Sequence, residues 1–449
     1  MNAPLDQPRA APIDRSLDRT LVRGMVVVAT FAAIAGAARI GQDVVIAWRF
    51  GTGPVVDAYY FLLNLANWPV AVAMSVLTFL VASSAVRQAR DLSSASPTFR
   101  AELLGAVLAA ALMSWPLAWW ALSHLAASPA GGLAPEASAL AAAAVPAMAA
   151  VVALGLIGAL LAAWLVAAGR HSLALLEALP SMVLIVALLV MPGTVLFWAT
   201  ALGVALQGLA MALLLRRDHR LQGPRLGFSA TAWRSFIHGG VALLAGQVLF
   251  ALLPLIDTLF AARLGEGTVS ALNFANRLVL GLQGLAGLAL QRVSLPLLAR
   301  LQASPDAARR TVLRWALATA VLGLVMGTAV AATAESLVAL LFERGRFTAA
   351  DRELVALLLR FGMLQMPVFL GGLLFVTALA SAGAMRTLAV AAGIGCLAKL
   401  LFSFLLVPAY GVQGLLMATA LMYTVTSGIT WFAWCGHLRR LTNQLKPSE

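Results

Sequence analysis

Asp43, Asp57, Asp257, Arg277 and Lys399 put charge into stretches of sequence that are otherwise apolar, and Gln42, Asn64, Asn67, Asn273 and Asn276 add amides beside them. A charged side chain at membrane depth costs at least about 2.5 kcal/mol on insertion scales, so groups of this kind face protein or water. Asn64 and Asn67 are three residues apart, as are Asn273 and Asn276, so each pair shares a helix face. Arg277 adjoins the second pair. Its planar fork suits two phosphate oxygens at once, and amides suit sugar hydroxyls and amide groups. The same groups serve equally well as hydrogen bonds that hold helices together. Arg39 and Lys399 are long enough to carry their charge to a span end.

The polar motif is duplicated. Asp43, Ala47, Arg49, Gly51 and Gly53 recur as Asp257, Ala261, Arg263, Gly265 and Gly267 at one offset of 214 residues. Leu63-Asn64-Leu65-Ala66-Asn67 recurs as Leu272-Asn273-Phe274-Ala275-Asn276. The Asn pairs are therefore repeat-equivalent and can face each other across a central cleft. A duplicated polar motif in so apolar a chain points to a two-lobed transporter with its pathway between the lobes. Asp43 and Asp257, each six residues before an arginine, read as helix caps or ion-pair partners, structural or coupling groups together with Lys399.

Composition sets the elements that must position these residues. Of 449 residues 61% are hydrophobic and 11% charged, against about 25% charged in soluble domains. Unbroken Leu/Ala/Val runs of roughly 20 residues fit helices that cross a core of about 30 Å. The alternation of a membrane barrel is absent. The expected fold is all-α and polytopic, with twelve spans in two pseudo-twofold-related six-helix lobes. They cover 24–48, 58–84, 101–123, 138–166, 172–191 and 195–215, then 236–262, 271–294, 311–334, 353–380, 387–407 and 412–435.

Residues 1–23 read as a disordered tail and 216–235 as a basic linker between an N-lobe (24–215) and a C-lobe (236–435), with a second tail at 436–449. Arginines crowd the loops on the tail side, which places both termini in the cytoplasm. That placement also accounts for the net charge of +13, so nucleic acid is not an expected partner. Two cysteines, no Walker loop, no zinc-ligand spacing and no nucleophile elbow leave no expected enzyme activity, cofactor or metal.

The motifs resemble those of the MviN/MurJ lipid flippases, within the multidrug, oligosaccharidyl-lipid and polysaccharide exporter superfamily. The matching stretches are Asp43 to Gly53 with Asp57-Ala58-Tyr59-Tyr60, then Asn276-Arg277-Leu278, then Leu341-Phe342 with Gly345-Arg346-Phe347-Thr348. The resemblance implies a V-shaped bundle in a bacterial inner membrane. It would move an undecaprenyl-phosphate- or -diphosphate-linked oligosaccharide by alternating access, for cell-envelope or exopolysaccharide synthesis. Polymerases or glycosyltransferases of the same pathway would be partners, along with membrane lipids. Arg277, Asn276, Asn273, Asn67, Asn64, Arg39, Gln42 and Asp57 would line the substrate cleft. Lipid II itself, a small-molecule drug, or no transported substrate at all are the alternatives. The chain departs from the family where Gln42 precedes Asp43, where Val70-Ala71 replace two arginines, and where Asn276 replaces an aspartate before Arg277. These departures remove diphosphate-binding charge and favour a lipid-linked glycan other than lipid II.

Overall fold

The computed structural model describes residues 15–445 except 91–96, 129–130, 171–172, 192–194, 219–220, 230–232, 234–246 and 302–304. Every regular element among them is helical. In the first half of the chain these are α1 (Arg15–Phe50), α2 (Pro54–Arg90), α3 (Pro97–Ala127), α4 (Pro135–Ala167), α5 (Leu173–Leu176), α6 (Leu179–Val190) and α7 (Leu196–Arg217). In the second half they are α8 (Leu253–Ala262), α9 (Thr268–Leu301), α10 (Pro305–Ala332), α11 (Ala334–Phe342), α12 (Ala349–Gly362), α13 (Met366–Ser381), α14 (Met385–Tyr410) and α15 (Val412–Leu445).

Eight helical stretches among the described residues are long and apolar enough to cross a membrane. The chain is a multi-pass membrane protein. Its lipid-facing character is plain on α3, where Leu112, Met113, Leu117 and Trp120 are all exposed. So broad an apolar face is unfavourable in water and natural in a bilayer. Asp43, Asp57, Glu102 and Lys399 are by contrast buried between helices.

Four expectations need correction. Helix α1 starts at Arg15, so the tail expected to 23 is helical over its last third, while 1–14 lie outside the described residues. Helix α15 runs on to Leu445, past the expected end at 435. The span expected at 172–191 is broken into α5 and α6, with Pro180 in the first turn of α6, where its missing N–H costs nothing, and Glu177 at the break paired with Arg39. Proline also divides the stretch expected at 353–380. One 3₁₀ turn at Met363–Gln365 joins α12 to α13 just before Pro367.

The helices assort by half. Helix α4 packs between α2, α3 and α7, while α1 lies on α6; in the second half α10 lies on α13, and α15 lies on α13 and α14. Contacts between the halves are made by α2 with α8 and α9, and by α1 with α9 and α11. These are the helices that carry the duplicated motif.

Candidate functional site at the seam between the halves

The seam gathers at one end of the bundle, where α1 and α8 finish and α2 and α9 begin. Asp43 lies seven residues before the end of α1, and Arg277 lies nine residues into α9. At 1.5 Å per residue both groups sit about 10–14 Å below that end. Arg277 Nε donates to Asp43 Oδ2 at 2.7 Å. Tyr60 donates to the other carboxylate oxygen at 2.7 Å. Asp43 is sealed at 1% exposure, whereas the Arg277 side chain keeps 34%. Its carboxylate partner is thus buried, and of the guanidinium nitrogens Nε is the one engaged with it.

One turn nearer the closed end, the first Asn of each repeat copy meets the other. Asn64 Nδ2 donates to Asn273 Oδ1 at 3.1 Å and to Thr258 Oγ1 at 2.8 Å. Asn273 spends its own amide on the Val269 carbonyl at 2.8 Å. The second Asn of each copy is different. Asn67 is exposed and Asn276 half-buried, and neither has a hydrogen bond among the described residues. Gln42 is buried beside Asp43, also without one.

Asp57, expected in the substrate cleft, is instead 2% exposed and caps α9. It accepts from the backbone amides of Gly267 at 2.6 Å and Ser270 at 2.8 Å. A carboxylate from α2 therefore satisfies the free N–H groups that begin α9 and complements the positive end of its dipole. Arg39 is exposed and pairs with Glu177 of its own half at 3.0 Å. Lys399 is fully buried and meets Asp257 at 2.7 Å, so it does not reach a span end as its length would permit.

A double clasp closes this end. The Arg346 amide donates to the Trp48 carbonyl at 2.9 Å, and Thr52 donates to Asp351. Gly345 has φ +64, and a Cβ there would collide with Trp48. Gly51 has φ +67, and its Cβ would stand 2.6 Å from the Arg346 carbonyl oxygen. Across the seam Gly132, φ +74, leaves room for Arg263 in the same manner. The loop after each copy of the motif is thus covered by a glycine loop from the other half. Beneath the clasp, Tyr60 meets Phe274 at 5.7 Å between ring centres, and Phe274 meets Phe342 at 5.3 Å. The hydrogen bonds that Asp43, Trp48, Thr52, Asp57 and Asn64 make with the second half lie at this end.

The Leu341-to-Thr348 motif has its physical meaning here. Phe342 and Phe347 are buried against Phe274, Gly345 permits the close approach, and Thr348 with Asp351 forms a capping box that starts α12. A sequence profile of the lipid II flippase MurJ matches residues 46–444, taking in the clasp, the Asn pairs and Arg277. The chain belongs to the MurJ family.

Solved structures agree on the fold. A lipid II flippase MurJ in an inward closed conformation has a TM-score of 0.77 at 15% identity, covering 91% of this chain and 87% of that one. A multidrug resistance MATE family transporter of the MOP superfamily, inward-facing, has a TM-score of 0.76 at 14% identity, covering 94% and 99%. A MOP superfamily transporter from Pyrococcus furiosus, whose description reports reversed polarity of the binding pocket, has a TM-score of 0.63 at 14% identity, covering 93% and 96%. Within this MurJ family member, sequence reasoning missed Tyr60, Thr258, Ser270 and Glu177. Tyr60 stands in a quoted motif and Thr258 follows the repeated Asp257, so both were within reach. Ser270 and Glu177 carry no signal in the sequence, because a helix start and a helix break decide their roles.

Proposed function

We propose that this MurJ family protein is a flippase for an undecaprenyl-phosphate- or -diphosphate-linked oligosaccharide, working by alternating access in a bacterial inner membrane. The observation that carries this reading is Arg277, bonded across the seam to buried Asp43 while a third of its side chain stays exposed. A phosphate entering the cleft would meet the remaining guanidinium nitrogens, with the unengaged amides of Asn67 and Asn276 close in sequence to receive sugar groups. The lipid tail would stay in the bilayer.

The bodies that rock are 24–215 and 236–435, joined by 216–235, with the tails 1–23 and 436–449 in the cytoplasm. On that orientation the clasped end is periplasmic and the conformation faces inward. Once on those nitrogens, phosphate competes with Asp43 for the positive charge of Arg277 and so loosens the seam only when substrate is present. A ligand shifts such an equilibrium by no more than its preference for one state, and this competition supplies that preference. Opening without phosphate would leave a buried carboxylate unpaired, at about 3–5 kcal/mol.

The site speaks against a drug exporter for cations. Such a substrate needs a free acid, but Asp43, Asp57 and Asp257 are all engaged by protein groups. Lipid II remains the second reading, favoured by the family's own description. Where family members carry arginine, however, Val70 packs directly on Gly155, and a Cβ there would stand 2.6 Å from Val70 Cγ2. The test is deletion of the gene followed by chemical analysis of undecaprenyl-linked sugars on the cytoplasmic leaflet. Accumulation of an exopolysaccharide or capsule precursor supports the proposal. Accumulation of lipid II, with rescue of a flippase-depleted strain, supports the second reading. No accumulated intermediate sinks both.

A further inference from the structure

We infer that Glu177, where α5 gives way to α6, reads the carbohydrate of the substrate together with Arg39 of α1, an inference that rests on the lipid-linked-glycan reading above. Arg39 lies four residues before Asp43, so the two share a face of α1. Asp43 uses that face to meet Arg277 of the other half. Arg39 stands eleven residues before Phe50, where α1 ends, and the 12 residues of α6 separate Glu177 from the same end of the bundle. At 1.5 Å per residue both groups lie about 16–20 Å from the clasped end. That is well inside a hydrocarbon core of about 30 Å.

At such depth the pair is open: the Arg39 side chain keeps 44% of its exposure and Glu177 keeps 37%. Open charges in the middle of a membrane protein face water and not acyl chains. The broken helix agrees, because irregular backbone at membrane depth is tolerated where it is buried in protein or lines a wet cavity. Ala35 and Ala38 of α1 are packed with Ala178 beside the pair, so small residues close the junction while the charges stay at its rim. An ion pair this exposed adds little to stability. The interruption of α5 and α6 therefore has its use in the cleft and not in holding the bundle.

The free valences suit sugar. Arg39 Nη2 donates to Glu177 Oε2 at 3.0 Å, and among the described residues Oε1 and the other guanidinium nitrogens have no partner. A carboxylate oxygen accepts from ring hydroxyls, and a guanidinium donates to hydroxyl or acetamido oxygens. The two charges cancel, so this station matches an uncharged polyhydroxylated surface and leaves phosphate to Arg277. One turn of α1, about 6 Å, separates it from Asp43. The glycan would thus lie on the inward side of its own phosphate.

The test uses the full-length protein in a deletion strain, in a Cys396→Ala/Cys435→Ser background, with export normalised to protein in the membrane. In inverted vesicles Glu177→Cys should react at least about tenfold faster with a charged, membrane-impermeant methanethiosulfonate than Leu117→Cys, which is lipid-facing at similar depth on α3. Glu177→Ala should lower glycan export at least about tenfold, and the isosteric Glu177→Gln should lower it less. Arg39→Glu/Glu177→Arg, with the pair reversed, should melt within about 2 °C of wild type yet export as poorly as Glu177→Ala. Equal reaction at Glu177→Cys and Leu117→Cys, normal export by Glu177→Ala, or recovered export in the reversed pair would each overturn the inference. So would failure of both Glu177→Ala and Glu177→Gln to reach the membrane, which would make the pair structural. A deletion strain with unaltered surface glycan and no accumulated precursor would instead sink the flippase reading, and this inference with it.

Discussion

Asp43 and Asp257 occupy the same place in the two repeat copies, yet Asp43 is neutralised from the opposite half by Arg277 and Asp257 from its own half by Lys399. One bond must break when the halves part, and the other need not. Duplication supplied two equivalent acids, and the choice of counterion made one a seam and the other a brace.

Replacing Arg277 with Ala leaves Asp43 buried beside Tyr60 without its cation, so stability should fall by about 3–5 kcal/mol relative to the intact pair. Asp43→Asn/Arg277→Gln, which keeps neutral hydrogen-bonding groups in place, should recover most of that loss. A double-mutant cycle on detergent-solubilised protein measures the coupling. Additive effects would mean that the two residues do not form one unit. Export should be lost in both variants even where stability returns, because the phosphate partner is gone in each.

Asp57 should govern the population of the closed end. Asp57→Ala removes the cap from α9 at about 1 kcal/mol, and up to about 2 in a buried setting. Paired cysteines at Thr52 and Asp351, whose side chains touch in the clasped state, provide the readout. Disulfide yield should drop about fivefold or more with Asp57→Ala and fall less with Asp57→Asn, which still accepts from the Gly267 amide. Unchanged yield would remove Asp57 from the closure.

Gly345 makes a sharper test of the clasp. Gly345 and Gly383 both have positive φ, +64 and +73, so alanine is strained at either place. Only Gly345 lies against another segment, the Trp48 backbone and ring; Gly383 has open space around it. Gly345→Ala should therefore lower the same disulfide yield, while Gly383→Ala affects stability alone. Equal effects on the yield would show that backbone strain, and not the approach to Trp48, accounts for the glycine.

Much of this was legible in the residues. The apolar runs mark the helices, and the repeat marks the seam, because polar groups at equal offsets in an apolar chain have few other uses. Asn64 meeting Asn273 follows directly from their equivalence. What the pattern could not show is how each polar group spends its bonds. Asp57 reads as a cleft residue until α9 is seen to begin against it, and nothing local to Asp57 announces the amides of Gly267 and Ser270, over 200 residues away. The partner of Arg39 was hidden for the opposite reason. The break at Glu177 that provides its partner lies inside a run apolar enough to be taken for one span.

The linker offers a last test, because Glu102 of α3 is a fully buried acid that reads as an unremarkable charge near a helix start. It accepts from the Ser229 amide at 3.1 Å, from the Ser229 hydroxyl, and from Trp233 Nε1 at 2.8 Å. The Arg225 amide donates to the Ala101 carbonyl at 2.9 Å, and Gly105 admits the Arg225 backbone against α3. The segment joining the halves is therefore fastened to the first half and cannot act there as a free tether. Glu102→Gln keeps an acceptor of the same shape and should cost little. Glu102→Leu strands the buried Trp233 donor, at roughly 1–3 kcal/mol, and removes the acceptor that holds the exposed Ser229. Limited trypsin digestion should then cut at Arg225 at least about tenfold faster in Glu102→Leu than in wild type or Glu102→Gln. Equal cutting rates in all three would mean that Arg225 is accessible whether or not Glu102 holds the linker.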